Sequence, residues 1–460
     1  MKEIRQLFLC ANCGYESIKW LGRCPSCRQW NCFDEHRPAI VSRRGKKALS
    51  AGQPQELSSI QLNETERITV PIGELSRVLG GGLVRGSLVL VGGEPGIGKS
   101  TLLLQASGAM SQKGGKIIYV SGEESQRQIK LRAQRLGISG EGLYLLAETD
   151  LEAIIATFEQ LTPQMVVIDS IQTVFINELE ASPGSVGQVR ECTLRLMQWA
   201  KEKAIPVIIA GHVTKEGAIA GPRVLEHIVD AVLYMEGEPF SSYRILRCTK
   251  NRFGSVSEVG IFEMKAQGLI EVENPSEVFI SRHKEDIIGS AVVPLIEGSR
   301  PLLVEIQALT NVTVFGQPRR TANGLDYARL LMVCAVLTRR AAIKLGNQDV
   351  IASAAGGIKA GEPAADLALA LAIASSAKDL ALMKGLAAIG EIGLSGELRP
   401  VPQIDRRLAE AARLGFSKCI IPAGASAVIP PKGVILIEAA TIKEAIYKGL
   451  NKKKTEEQNV

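Results

Sequence analysis

Apolar and polar positions alternate between two regimes along most of this chain. From 67 to 272, short apolar runs recur every 20–45 residues, and longer amphipathic stretches lie between them. Short runs bounded by turn residues predict buried strands, and the longer stretches predict helices. The runs place strands at 87–91, 116–120, 143–146, 165–169, 206–210 and 229–235, with another from Tyr243 to Thr249. Helices fall at 99–112, 124–136, 151–161 and 186–203. Alternating strand and helix of this kind means an α/β layer with a mainly parallel sheet. Near Glu271–Pro275 the pattern changes and a second α/β unit begins. It has strands near 287–293, 302–309, 349–353, 418–422 and 434–437, and helices near 323–344, 364–377, 404–414 and 441–449. A turn-rich hairpin is expected near 387–401.

The two ends of this pattern differ from its middle. Residues 1–36 lack a core-forming run and carry Cys10-x-x-Cys13 and Cys24-x-x-Cys27. Two such knuckles close a tetrahedral thiolate site, so the segment reads as a zinc ribbon that metal must hold together. Cys32 and His36 lie just beyond as rival ligands, though they read rather as bystanders, since four ligands already suffice. Residues 37–66 form a basic, polar linker through Arg43, Arg44, Lys46 and Lys47. It is read equally well as a solvated tether or as a contact for phosphate backbone. The domain expectation is therefore 1–36 ribbon, 37–66 linker, 67–272 first α/β unit and 275–455 C-terminal unit.

Composition adds little except at the amino end. The chain has 460 residues, 46% hydrophobic and 22% charged, with a net charge of +6. Ten Lys/Arg against four Asp/Glu within residues 1–50 give a surplus as large as that of the whole chain. No apolar run approaches the ~18 residues of a membrane span, and the charged start Met1-Lys2-Glu3 does not suit a signal peptide. A cytoplasmic protein with no membrane partner is expected. Nine cysteines, four of them clustered, favour metal over disulfides.

The strongest chemistry is Gly93-Glu94-Pro95-Gly96-Ile97-Gly98-Lys99-Ser100, which fits the P-loop pattern between an expected strand and an expected helix. Its glycines let backbone N–H groups converge on phosphate at a helix N-terminus. Lys99 reaches the β- and γ-phosphates, Ser100 offers a hydroxyl to Mg²⁺, and Thr101 follows at the nucleotide. Met165–Asp169 is an apolar strand ending in an acid, so Asp169 is expected to hold Mg²⁺. Glu123, the first acid after the strand ending at Val120, is the choice for orienting the attacking water. Glu124 also reads as an ordinary helix-start acid. Lys250 and Arg252 fall on one side of an extended segment and read equally as a phosphate clamp or a solvated edge.

Gly80-Gly81-Gly82-Leu83, the P-loop, Tyr119-Val-Ser-Gly-Glu-Glu-Ser125 and Val166-Val-Ile-Asp-Ser170 together resemble a RecA-type ATPase core. Lys250-Asn-Arg-Phe-Gly254 resembles the KNRFG motif of the bacterial RadA (Sms) DNA-repair family. Ala388–Pro400 looks like part of a Lon protease domain, which completes that family's order of domains. The resemblance covers nearly the whole chain. It implies a DNA-dependent ATPase motor in homologous recombination and repair, using ATP, Mg²⁺ and Zn²⁺ on single-stranded and branched DNA. It also implies a homo-hexameric ring, recombinase and replication proteins as partners, and Lys250 and Arg252 acting on a neighbour's ATP. Mobile DNA loops of RecA-like motors correspond to Asn177–Gly187 and His212–Leu225, where Lys215 and Arg223 would meet phosphates. His212 reads either as a coupling residue or as an ordinary loop histidine. Arg319 and Arg320, with Lys344, are further candidates for a basic channel. Two other classes compete: an ATP-dependent protease, and a RecA-fold signalling ATPase with protein partners. A Lon protease needs a Ser-Lys dyad, and Ala364 and Asp405 stand at those positions, so no protease activity is expected.

Overall fold

The computed structural model describes residues 7–12, 15–17, 19–36, 56, 67–212, 225–237, 241–280, 287–314, 316–425 and 429–451. Three small strands, β1 (Leu7–Cys10), β2 (Glu16–Ser17) and β3 (Phe33–His36), form an antiparallel sheet in the order β2-β1-β3. Its buried centre is only Cys10, Cys24 and Phe33, with Phe8, Leu21, Cys27 and Cys32 packed against them. A core this small cannot offset the entropy of ordering the chain without a metal.

Beyond the ribbon the described residues divide into two compact units, the first ending at Glu271. Its opening elements are β4 (Arg67–Ile68), α1 (Gly73–Val78) and β5 (Leu83–Val84). Strands β6 (Leu88–Gly93), β7 (Ile117–Ser121), β8 (Leu143–Leu146), β9 (Met165–Asp169) and β10 (Val207–His212) follow. Between them run α2 (Lys99–Ser111), α3 (Gln126–Arg135), α4 (Leu151–Leu161) and α5 (Val186–Lys203). Strands β11 (Ala231–Glu236), β12 (Tyr243–Asn251), β13 (Val259–Lys265) and β14 (Gly268–Glu271) complete a nine-stranded sheet. Its order is β14-β13-β12-β11-β6-β10-β9-β7-β8.

Strands β8 to β11 in that order are parallel, and both faces are covered. Val89 and Val91 face one apolar cluster with α1, α2 and α3; Leu88 and Leu90 face the other with α4 and α5. Period-two side chains buried on both sides explain why these strands read as unbroken apolar runs. Strands β12 to β14 extend the sheet: β12 runs antiparallel to β11, and β14 antiparallel to β13. The hydrophobic pattern places neither β13 nor β14, nor α1. They are short, and their polar positions at Glu263, Lys265 and Glu271 break the apolar runs.

The second unit opens with the short α6 (Pro275–Val278). A seven-stranded sheet follows from β15 (Ser290–Glu297), β16 (Arg300–Val312), β17 (Arg320–Asn323), β18 (Gln348–Ala354) and β19 (Leu386–Ala388). A small hairpin of β20 (Glu391–Ile392) and β21 (Leu398–Arg399) precedes the last sheet strands, β22 (Lys418–Pro422) and β23 (Ile435–Ala439). The sheet order is β17-β18-β16-β15-β19-β22-β23. Helices α7 (Tyr327–Arg340), α8 (Asp366–Lys378), α9 (Ile404–Arg413) and α10 (Ile442–Gly449) complete the unit. Ten consecutive residues of α8, Asp366 to Ser375, are buried. Helix α8 is apolar or small all round because it is the centre of the unit rather than its surface. Among the described residues no helix is long and apolar enough to cross a membrane.

Candidate nucleotide site and zinc ribbon

Parallel registers bring four strand ends to one edge of the large sheet. His212 pairs with Gly93, and Ser121 pairs with Asp169. Ligands of open α/β sheets bind at this carboxyl edge. The P-loop leaves β6 at Gly93, where φ is +155° and a Cβ would lie 2.7 Å from the Met235 carbonyl. At Gly98, the residue capping α2, φ is +119° and a Cβ would strike Met264 at 2.7 Å. Only glycine is accommodated at either place.

Lys99 is 3% exposed, and its Nζ donates to the carbonyls of Gly93 and Glu94, 2.9 Å each. Burial pushes its ammonium below the usual lysine range, while the charges of Asp169 and Glu123 oppose the shift. Those two acids, one on β9 and one after β7, are thus near enough for their charges to act on Lys99. Asp169 is 7% exposed and accepts a 2.5 Å hydrogen bond from the Tyr119 hydroxyl. Glu123 accepts a hydrogen bond of the same length from Ser170, which is fully buried and joined to Asp169 by a cis peptide. Glu124 pairs with Arg132 on α3 and stands before the Ser125 cap, outside the helix's first turn. A buried ammonium, a glycine loop on a helix N-terminus and a buried carboxylate fit a nucleoside triphosphate and its Mg²⁺. The loop residues Glu94, Pro95, Gly96 and Ile97 line that cradle, with Ser100 and Thr101 in the first turn of α2.

Sequence reasoning placed Ser170 near the γ-phosphate without its bond to Glu123, and missed Tyr119 and Arg244 at this site and Arg67 at the far edge of the sheet. Tyr119 and Ser170 orient the two acids. Arg244 on β12 donates to the Ile97 carbonyl at 3.1 Å, so a cation from the antiparallel extension reaches the P-loop. Arg67 binds carbonyls of Leu79, Gly82 and Phe253, which joins the Gly80–Gly82 turn to the Lys250–Gly254 segment. A strand-end tyrosine or a basic residue on a strand carries no local signal; only register reveals its partner.

Lys250 and Arg252 lie elsewhere. Asn251 pairs with Ala231, and Arg252 accepts its place beside Asp230 through a 3.0 Å backbone bond from its N–H. Asp230 also takes the Leu88 N–H at 3.1 Å, at the amino end of β6. The Lys250–Gly254 segment is therefore at the opposite edge of the sheet from the P-loop. Five residue steps along β6, about 17 Å, separate the two. Lys250 donates to the carbonyls of Glu226 (2.6 Å) and Val229 (2.9 Å), and burial lowers its basicity. Arg252 pairs with Asp230 at 3.1 Å and keeps 48% of its side chain exposed.

In the ribbon, Cys10, Cys24, Cys27 and Cys32 bring their sulfur atoms within 4.8 Å of one another. Sulfurs about 3.8 Å apart are what tetrahedral zinc at ~2.3 Å requires, so the thiols fit the metal. Cys13 lies outside the described residues. Cys32, read as a bystander, instead stands 3.3 Å from Cys10. The Asn31 residue before it has φ +52°, a turn that folds Cys32 back over the knuckles and that its spacing does not announce.

Of the expected DNA contacts, Lys215 and Arg223 lie outside the described residues. Arg319 is exposed, but the guanidinium of Arg320 is spent on the carbonyls of Gln348 (2.5 Å) and Leu345 (2.9 Å). The Asn177–Gly187 segment begins pinned: the buried Gln188 amide binds Ile176, Leu179 and Ala181. In the second unit Ala364 is 1% exposed within an apolar cluster. Two buried ion pairs flank it, Glu362–Arg407 at 2.7 Å and Asp366–Arg329. Asp405 sits exposed in the first turn of α9, where the helix dipole favours an acid.

A glycine cradle with a buried lysine and nearby acids on a parallel sheet, behind a four-thiol ribbon, defines a P-loop ATPase with a zinc-binding appendage. Comparison with known proteins agrees at the level of parts. Residues 53–218 match the family model described as AAA domain, residues 8–35 that described as rubredoxin metal binding domain, and residues 335–425 that described as subunit ChlI of Mg-chelatase. A DNA repair protein RadA of Bacillus subtilis is 50% identical, over 98% of this chain and 100% of its own length. One of Listeria monocytogenes is 51% identical, over 96% of this chain and 98% of its own. The chain belongs to the DNA repair protein RadA family. A KaiC-like protein from Pyrococcus horikoshii is also similar over 45% of this chain and 98% of its own, at 21% identity and a TM-score of 0.39.

Proposed function

We propose that this protein is a DNA-stimulated ATPase that moves along single strands and processes branched intermediates in homologous recombination and repair. The observation that carries the reading is the near-complete alignment with proteins named for DNA repair, joined to a site in which Lys99, Asp169 and Glu123 converge. In this reading Lys99 and the loop N–H groups hold the phosphates, and Ser100 and Asp169 hold Mg²⁺, which neutralises charge on the β- and γ-oxygens. Glu123 orients the attacking water once Ser170 releases or shares it. Lys250 and Arg252 serve the nucleotide of an adjacent subunit in a hexameric ring. Their place at the far edge of the sheet supports this, because one subunit cannot fold them back onto its own P-loop. The 1–36 ribbon, 37–66 linker, 67–272 motor and 275–455 unit each have a separate task, the last as a proteolytically silent scaffold. Lys215, Arg223 and Arg319 contact DNA phosphates in this scheme.

The test is ATP hydrolysis by the purified protein with and without oligo(dT). Single strands are expected to raise the rate several-fold, and Lys99→Ala to reduce it at least a hundredfold, as loss of a main transition-state contact does. A rate indifferent to DNA would instead favour an ATPase acting on protein partners only.

A further inference from the structure

Three tryptophans occur in the chain, and two are on the ribbon surface. Trp20 is 52% exposed and Trp30 is 69% exposed, while Tyr15 nearby is 41% exposed. Large aromatic rings left this open on so small a module mark a contact surface. The ribbon core does not use them, since Phe33, Phe8 and Leu21 surround the cysteines. Trp20 and Trp30 both approach the same glycine. A Cβ at Gly22 would lie 3.7 Å from the first ring and 3.9 Å from the second. The rings therefore stand side by side across one backbone position.

Their setting is cationic and fixed. Arg23 bridges Trp30 in a two-residue β pairing, and its guanidinium lies 5.6 Å from the centre of the Trp30 ring. Its Nε also donates to the Arg28 carbonyl at 2.9 Å. From 19 to 30 the sequence holds Lys19, Arg23 and Arg28 and no acid, and all three are exposed. A zinc tetrathiolate beneath carries about two negative charges. The three cations, followed by Arg43, Arg44, Lys46 and Lys47 of the linker, outweigh it.

We infer that Trp20 and Trp30 form a stacking platform for unpaired bases of a single-stranded nucleic acid, with Lys19, Arg23 and Arg28 on its phosphates. Every base has a π-face, so such a platform is tolerant of sequence, and the cations supply the electrostatic attraction. Bases inside a duplex are not open to it. Arg23 over the Trp30 ring and the lack of any acid from 19 to 30 suit a polyanionic strand. The inference rests on the DNA-motor reading and adds where the displaced strand is held.

The full-length protein provides its own probe. The third tryptophan, Trp199, is 6% exposed and packs on Phe158 with ring centres 5.0 Å apart, so it does not meet solvent ligands. Tryptophan emission is followed while oligo(dT) is added, and anisotropy of a dye-labelled oligo(dT) is read on parallel samples. Quenching that grows with binding and reverses with salt is expected. In Trp20→Ala/Trp30→Ala, with zinc content verified by metal analysis, quenching disappears and affinity falls about five- to 150-fold per lost stack. Trp20→Phe/Trp30→Phe keeps a flat ring, so it loses the signal but retains most of the affinity. If the alanine variant does not hold zinc, the phenylalanine variant and the wild-type quenching decide. Oligo(dT) that binds without quenching, or binds the zinc-loaded alanine variant as tightly as wild type, overturns the platform and leaves the motor reading standing. Absence of any oligo(dT) binding overturns both.

Discussion

Asp169 does not stand alone at its strand end; the Tyr119 hydroxyl holds one of its oxygens from the neighbouring strand. Groups that orient a metal's ligands are worth ten- to a hundredfold in affinity when lost. Tyr119→Phe removes this hydrogen bond, together with the hydroxyl's contact to Arg132, from a fully buried ring. The expected result is an Mg²⁺ requirement for nucleotide binding shifted about tenfold upward, read by fluorescent-nucleotide titration, with little change in folding. An unaltered Mg²⁺ dependence would remove Tyr119 from the site. At this scale the sequence was most informative where chemistry is local. The P-loop is one continuous octapeptide, and Glu123 and Asp169 follow apolar strands directly. Ser170 was placed near the γ-phosphate, but its partner Glu123 was not legible, nor were the roles of Tyr119, Arg244 and Arg67, because each has a partner more than 40 residues away. Cys32 was misread for a related reason, since a turn at Asn31 rather than spacing carries it to Cys10.

The register of β6 with β11 and β12 makes Asp230 a structural joint. Its two oxygens hold the Leu88 N–H and the Arg252 guanidinium, and it is 2% exposed. Asp230→Ala strands a buried donor and an arginine together. A loss of about 2–3 kcal/mol in stability is expected, measured as a lower denaturant midpoint at unchanged slope. Asp230→Asn keeps an acceptor for one partner and is expected to lose less. The parallel strands were legible because burial on both faces makes them continuous apolar runs, and helices α4 and α5 because Asp150 and Ser185 cap them before amphipathic stretches. Strands β13 and β14 were not, because Glu263, Lys265 and Glu271 interrupt their apolar runs and their pairing is set by tertiary contact. The sheet is consequently less parallel than its pattern suggests.

For the molecule as a whole, the second unit places apolar and acidic residues where a Ser-Lys dyad was looked for and not expected. Ala364 is enclosed by Leu408, Val401 and Ala411, with charged pairs on both sides. Ala364→Ser with Asp405→Lys is therefore expected to yield no cleavage of unfolded casein, ATP present or absent; turnover of that substrate would overturn the reading of this unit as proteolytically silent. The motor makes a contrasting demand. Lys99→Ala and Arg252→Ala proteins, each inactive, are expected to regain part of the ATPase rate when co-assembled, since some boundaries then pair an intact P-loop with an intact arginine. No recovery in verified mixtures would confine Arg252 to its bond with Asp230. The placement of these two motifs at the two ends of β6 has a further consequence for symmetry. A contact that joins the carboxyl edge of one sheet to the amino edge of the next uses two different surfaces. Repeated head to tail rather than reciprocally, it has no two-fold axis and closes only as a ring. Each added subunit leaves one nucleotide without its arginine and one arginine without a nucleotide, until rotation closes the circuit. A dimer is thus never a finished enzyme in such a scheme, and the number of subunits is fixed by the angle between neighbours rather than by the strength of any one contact.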